Sequence, residues 1–124
     1  MRLPKAEDRD LCVRTRRFAA RIIRLYVSLP KSAEAQVIGK QLVRSGTSVG
    51  AHIAESNRGK SRADFANKID GALQELDESR YWMTLLIDTE IVRPDRLRDL
   101  IDEAEQLTAV LVTIASRTRR NEKQ

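Results

Sequence analysis

Apolar positions recur at alternating spacings of three and four residues in separate stretches of the chain. Leu11, Thr15, Phe18, Ile22, Leu25 and Leu29 form the first; Ile38, Leu42, Val49 and Ile53 a second, less regular one with small residues between. Phe65, Ile69, Ala72, Leu76, Ser79, Met83 and Leu86 form the third, and Leu97, Leu100, Ala104, Leu107, Leu111 and Ile114 the fourth. Each spacing puts one apolar stripe down one face of a helix. Alternation at period two is absent, so no strands are predicted.

The breaks between the stripes carry helix punctuation. Pro30 follows the first stripe, and Ser32 is placed to cap a second helix with Glu34 in its first turn. In "NRGKSRAD", Gly59 is expected to end that helix as a left-handed residue, while Ser61 caps the next with Asp64 three residues on. Pro94 and Asp95 suit the first turn of a fourth helix. The predicted helices run over roughly 6–29, 32–57, 61–90 and 94–118, followed by a basic, frayed tail over 119–124. Short connections make sequential helices antiparallel. The expected fold is all-α: residues 1–124 as one antiparallel up-down four-helix bundle.

Composition agrees. The chain has 124 residues, enough for one cored domain, with 4% aromatic and 33% charged residues and few Gly or Pro. A single cysteine, Cys12, and a single histidine, His52, exclude an intramolecular disulfide and a Cys/His zinc site. No apolar run approaches the roughly 20 residues of a membrane span. The N-terminal "MRLPKAEDRD" lacks the apolar stretch of a signal peptide, so the expected location is cytoplasmic.

Charge changes the picture further. The net charge of +5 is segregated: residues 11–30 hold five arginines and no acid, whereas residues 63–105 hold twelve acids and five bases. Arg14, Arg17, Arg21 and Arg24 step by three, four and three, which sets them on one flank of the first helix, opposite Cys12, Ala19 and Tyr26. The turn adds Arg58, Lys60 and Arg62; the tail adds Arg117, Arg119 and Arg120. Such a row either faces the phosphates of RNA or DNA or pairs with the acidic third and fourth helices, within or between subunits. With almost no aromatics for base stacking, nucleic-acid binding is expected to rest on phosphates and shape.

No catalytic constellation emerges. "AESNRGKS" matches a loose phosphate-loop spelling, but a helix rather than a strand precedes it and Gly59 is its one glycine. The simpler reading is a helix stop followed by a helix start, with the start at Ser61 still able to receive a backbone phosphate. His52 and Glu55 invert the Glu-x-x-His order of a di-iron bundle and have no second copy. No metal, cofactor or enzymatic activity is expected. Gly39, Gly46 and Gly50 on the second helix suggest close approach of another backbone. Tyr81, Trp82 and Leu85 fall off the third stripe; they form either a subunit interface or local packing against the fourth helix or the loop at Val92.

The stretch "QLVRSGTSVGAHIAESNRGKSRADFANKIDGALQELDESRYW" resembles a known family. The positions that carry the likeness are Gln41-Leu42 with Arg44-Ser45, Ile53-Ala54-Glu55, Lys60-Ser61 with Asp64-Phe65, and Ala72-Leu73 with Glu75-Leu76 and Glu78. The family is that of four-helix-bundle proteins encoded by intervening sequences of bacterial large-subunit ribosomal RNA genes, related to accessory variability proteins of diversity-generating retroelements. Family members often carry proline at Gly50, asparagine at His52 and glycine at Ser56; without that proline the second helix is expected to run straighter. The resemblance implies a homo-oligomer with a pentameric barrel as precedent, and no catalysis. In the retroelement branch it implies a basic surface that binds nucleic acid and a partner reverse transcriptase.

Overall fold

A computed structural model describes residues 6–122, with the side chains of residues 11–120. The N-terminal segment 1–5 and residues 123–124, including Lys123 of the expected tail, lie outside the described residues. Four helices account for the fold: α1 Ala6–Ser28, α2 Ala33–Ser56, α3 Arg62–Asp88 and α4 Pro94–Glu122. Among the described residues there is no strand. Where the sequence placed the last helix end near 118, α4 continues through Arg119 and Arg120 to Glu122.

Local chemistry explains the boundaries. The Ser32 hydroxyl accepts the Ala35 N–H at the start of α2, and the Ser61 hydroxyl accepts the Asp64 N–H at the start of α3. Each satisfies one of the donors that a helix N-terminus leaves orphaned. Pro94 opens α4, where a missing N–H costs nothing. One expectation fails here. No glycine has positive φ, and α2 ends at Asn57 in a right-handed conformation. Gly59 is instead confined by space, since a Cβ there would sit 3.2 Å from the Ser56 carbonyl oxygen and 3.3 Å from the Phe65 nitrogen. The left-handed residue is Glu90, φ 61°, past the end of α3, where the Ile91 N–H reaches back to the Leu86 carbonyl at 3.0 Å.

Contacts between helices give the topology. Cys12 meets Asn57 while Tyr26 meets Gln36, so α1 and α2 run antiparallel. Glu55 meets Lys68 while Arg44 meets Glu78, so α2 and α3 do the same. Arg14 meets Glu103 while Ser28 meets Arg96, which sets α4 antiparallel to α1. Sequential helices pack side by side, α1 and α4 touch least, and among the described residues no close backbone approach links the diagonal helices. The result is a four-helix bundle. Its core contains Phe18, Ile22, Leu42, Ile53, Ile69, Leu76, Met83, Leu86, Leu97, Leu107 and Leu111, all fully buried. Thr15 and Ser79 also sit on the stripes; the Thr15 hydroxyl bonds the Leu11 carbonyl and the Ser79 hydroxyl bonds both the Glu75 carbonyl and Ser45. Those bonds satisfy the buried hydroxyls.

The helix-two glycines do serve close packing, against α1 and mainly against its side chains. Gly39 lies under Tyr26 and Leu29, and Gly46 under Ile22.

Candidate nucleic-acid interface

Antiparallel packing gathers what the sequence scatters. The start of α1, the α2–α3 turn and the end of α4 all lie at one end of the bundle. Two contacts pin this: Asn57 Nδ2 donates to Cys12 Sγ at 3.3 Å, and Arg119 pairs with Asp70 near the start of α3. Arg14, Arg17, Arg58, Lys60, Arg62, Arg117, Arg119 and Arg120 therefore share that end. Arg21 and Arg24 continue the row along α1 toward the other.

The row occupies the flank of α1 that faces α4, since its first member and its neighbour Ser28 both bond α4. The members are not equivalent. Arg14 is committed: Nε donates to Glu103 Oε2 at 2.9 Å, and Nη2 to Glu103 Oε1 at 2.7 Å and Gln106 Oε1 at 3.0 Å. This is the pairing with an acidic helix that the sequence left open, within one subunit. Arg119 is likewise paired with Asp70. Arg17, Arg24, Arg58, Lys60, Arg117 and Arg120 are exposed, and Arg21 is half-buried. Among the described residues the side chain of none of these seven makes a hydrogen bond or ion pair. Arg16, outside the row, is also exposed.

The phosphate-loop match has no phosphate-loop structure. Ala54 to Ser56 are helical, and Ser61 spends its hydroxyl on the α3 cap. Asp64 already places a carboxylate in that first turn.

A polar seam runs between α2 and α3. Lys68 Nζ lies 2.9 Å from Glu55 Oε2, and its hydrogen bond and charge hold the Glu55 carboxyl below the usual range. The His52 ring lies over Gly71. Glu75 is pushed up, first by burial and then by the Glu78 carboxylate, against the opposing pull of Arg44. His52 Nδ1, Glu75 Oε2 and Trp82 Nε1 are buried without a hydrogen-bond partner among the described residues. That seam gathers no metal site: no group of three His, Cys, Asp or Glu suited to a metal occurs among the described residues.

Of the aromatic group, Tyr81 is exposed, while Trp82 and Leu85 are half-buried against the core. The Tyr81 and Trp82 rings meet edge to face, 4.9 Å apart.

An open groove of about 450 Å³ lies between α1 and α4 at the basic end, lined by Leu11, Arg14, Ala109, Val110, Thr113, Ile114 and Arg117. The sequence reading missed it. Its one visible signal was Val110, an apolar residue off the α4 stripe, which is 37% exposed.

Fold and surface define a class: a small four-helix bundle with a cationic end. No described helix is long and apolar enough to cross a membrane. The chain belongs to the 23S rRNA-intervening sequence protein family, whose model matches residues 7–113. It is similar in structure to a protein of unknown function from the S23 ribosomal protein family of Bacteroides thetaiotaomicron, with a TM-score of 0.83 and 37% identity. That likeness covers 88% of this chain and 97% of the other. No curated protein matches the chain.

Proposed function

We propose that the chain is a nonenzymatic, homo-oligomeric nucleic-acid-binding protein whose basic end and α1 row grip a phosphate backbone. One observation carries the reading. Three basic segments far apart in sequence converge on one end of the bundle, where Arg17, Arg58, Lys60, Arg117 and Arg120 are exposed with no acid partner among the described residues. Convergent unpaired cations favour a polyanion, and repetition of the patch in an oligomer multiplies its phosphate contacts. The family's tie to ribosomal RNA genes makes structured RNA the first ligand to try. Exposed Tyr81 supports self-association, with a pentamer as the state to test. An accessory role beside a reverse transcriptase is the more specific form of this reading.

Reversing Arg17 and Arg21 to Glu is the test. RNA binding should be lost while sedimentation reports an unchanged assembly. Undiminished affinity would refute the site.

A second reading has its own support. Arg14 and Arg119 already pair with Glu103 and Asp70. If the row as a whole serves acidic proteins, the chain is an interaction scaffold that shows no RNA affinity at physiological salt.

A further inference from the structure

We propose that the α1–α4 groove receives a single unstacked nucleobase of a structured RNA whose backbone lies along the α1 arginines. The inference rests on the basic-surface reading and adds a ligand feature to it.

The groove has two chemistries. Leu11, Ala109, Val110 and Ile114 supply an apolar surface; Arg14, Arg117 and the Thr113 hydroxyl are the polar groups beside it. Its volume of about 450 Å³ lies in the usual small-ligand range of about 300–1,000 Å³. It occurs where the bundle is least closed, because α1 and α4 touch least.

Arg14 is suited to stacking rather than to charge neutralisation. Its two bonds to Glu103 cancel much of its charge and fix the plane of the guanidinium. A fixed guanidinium plane is a platform for a base, which has a flat π-face. No aromatic side chain lines the groove, so this plane and the apolar side chains take the role that aromatic residues play in other RNA-binding modules. Arg117 carries no such partner among the described residues and is available to a phosphate.

The occupant must therefore be flat, largely apolar and attached to repeated negative charge. Arg17, Arg21 and Arg24 continue from the groove along α1, spaced by about one helical turn, roughly 5.4 Å. A polymer with a charge on every unit can engage such a row while one base turns inward. An acidic peptide with one apolar side chain would use only the nearest cations.

The test uses the full-length protein and three RNA hairpins with the same stem: fully paired, with a one-nucleotide bulge, and with an abasic residue at the bulge. Fluorescence anisotropy should show the bulged hairpin binding about fivefold more tightly than the other two. Ala109 and Val110 are exposed, so the neutral pair Ala109→Gln/Val110→Gln should fold normally by thermal melt. That variant should lose the preference and keep its affinity for the paired stem within about twofold. Equal binding of all three hairpins, abolished by Arg17→Glu/Arg21→Glu, would overturn the base pocket and leave the surface reading standing. A preference for the bulge that survives the glutamine pair would also overturn the pocket. Failure of the wild-type protein to bind any hairpin would remove both. In that case, binding of an acidic amphipathic peptide that is lost in the glutamine pair would reassign the groove.

Discussion

Arg14 and Arg17 are one turn apart on the same flank of α1, yet their surroundings differ. Arg14 forms a two-pronged bridge to Glu103, at 2.9 and 2.7 Å, with side-chain exposures of 29% and 17%. Fully exposed ion pairs contribute about 0.2–1 kcal/mol, and hydrogen bonds to charged groups about 1.5–3 kcal/mol. Partial burial and paired geometry put this bridge above the exposed range, and residual solvent access puts it below the buried one. A coupling of about 1–1.5 kcal/mol is expected, across the α1–α4 seam, the helix pair in least contact. Arg17→Ala should change stability by less than about 0.5 kcal/mol, because its side chain is exposed and bonds nothing described. The assay is a double-mutant cycle of Arg14→Ala and Glu103→Ala by urea unfolding, with Arg17→Ala alongside. For a chain of this size 1 kcal/mol is about 3–6 °C in Tm, within reach of a thermal scan. RNA titration should show the reverse order, with Arg17→Ala costing more affinity than Arg14→Ala. A coupling below about 0.3 kcal/mol, or equal effects of Arg14→Ala and Arg17→Ala in both assays, would refute the division of labour.

Three further outcomes follow from the packing and the loops. Glu75 has a raised pKa in the folded state, so the native protein binds more protons than the unfolded chain at pH just above the ordinary glutamate range. Its contribution is present at low pH and lost as pH rises through the folded value; Glu75→Gln should raise neutral-pH stability and flatten that decline in pH-dependent urea melts. Gly39→Ala would put a Cβ 2.6 Å from Tyr26 Cδ1 and 2.7 Å from Leu29 Cδ1, so crowding of about 1–3 kcal/mol should outweigh the helix-propensity gain of about 1 kcal/mol and lower the urea midpoint. Glu90→Gly should remove the left-handed strain after α3 and raise stability by about 0.5–1 kcal/mol in the same melts; a loss would contradict the strain assignment.

The core was legible from spacing because burial in a bundle is periodic. Every stripe position of α1 is buried, and on α3 and α4 only Phe65 and Ile114 are left half-buried. Capping at Ser32, Ser61 and Pro94 was legible because it is local chemistry. What escaped depends on neighbours distant in sequence. No spacing rule separates Arg14 from Arg17; the difference is one carboxylate 89 residues away. Gly59 looked like the left-handed stop because glycine favours that conformation, but the turn after α2 satisfies its carbonyls without positive φ, and the positive φ among the described residues falls at Glu90, in the separate turn after α3. Val92 is buried although it lies in a loop, since its N–H bonds back to Leu86 and the chain folds over the core. The groove was hidden because Leu11 and Ile114 read as ordinary stripe residues, and only the weak α1–α4 seam opens a space beside them.

The most direct test of the cationic surface is a binding titration of structured RNA and duplex DNA against the wild-type protein at several salt concentrations. Phosphate neutralisation predicts submicromolar binding at low salt, with log affinity falling linearly in log salt at a slope steeper than about −3, because each neutralised phosphate contributes roughly −0.7 to −0.9. Absence of binding at low salt, or an affinity indifferent to salt, would contradict the account and leave the arginines to protein partners.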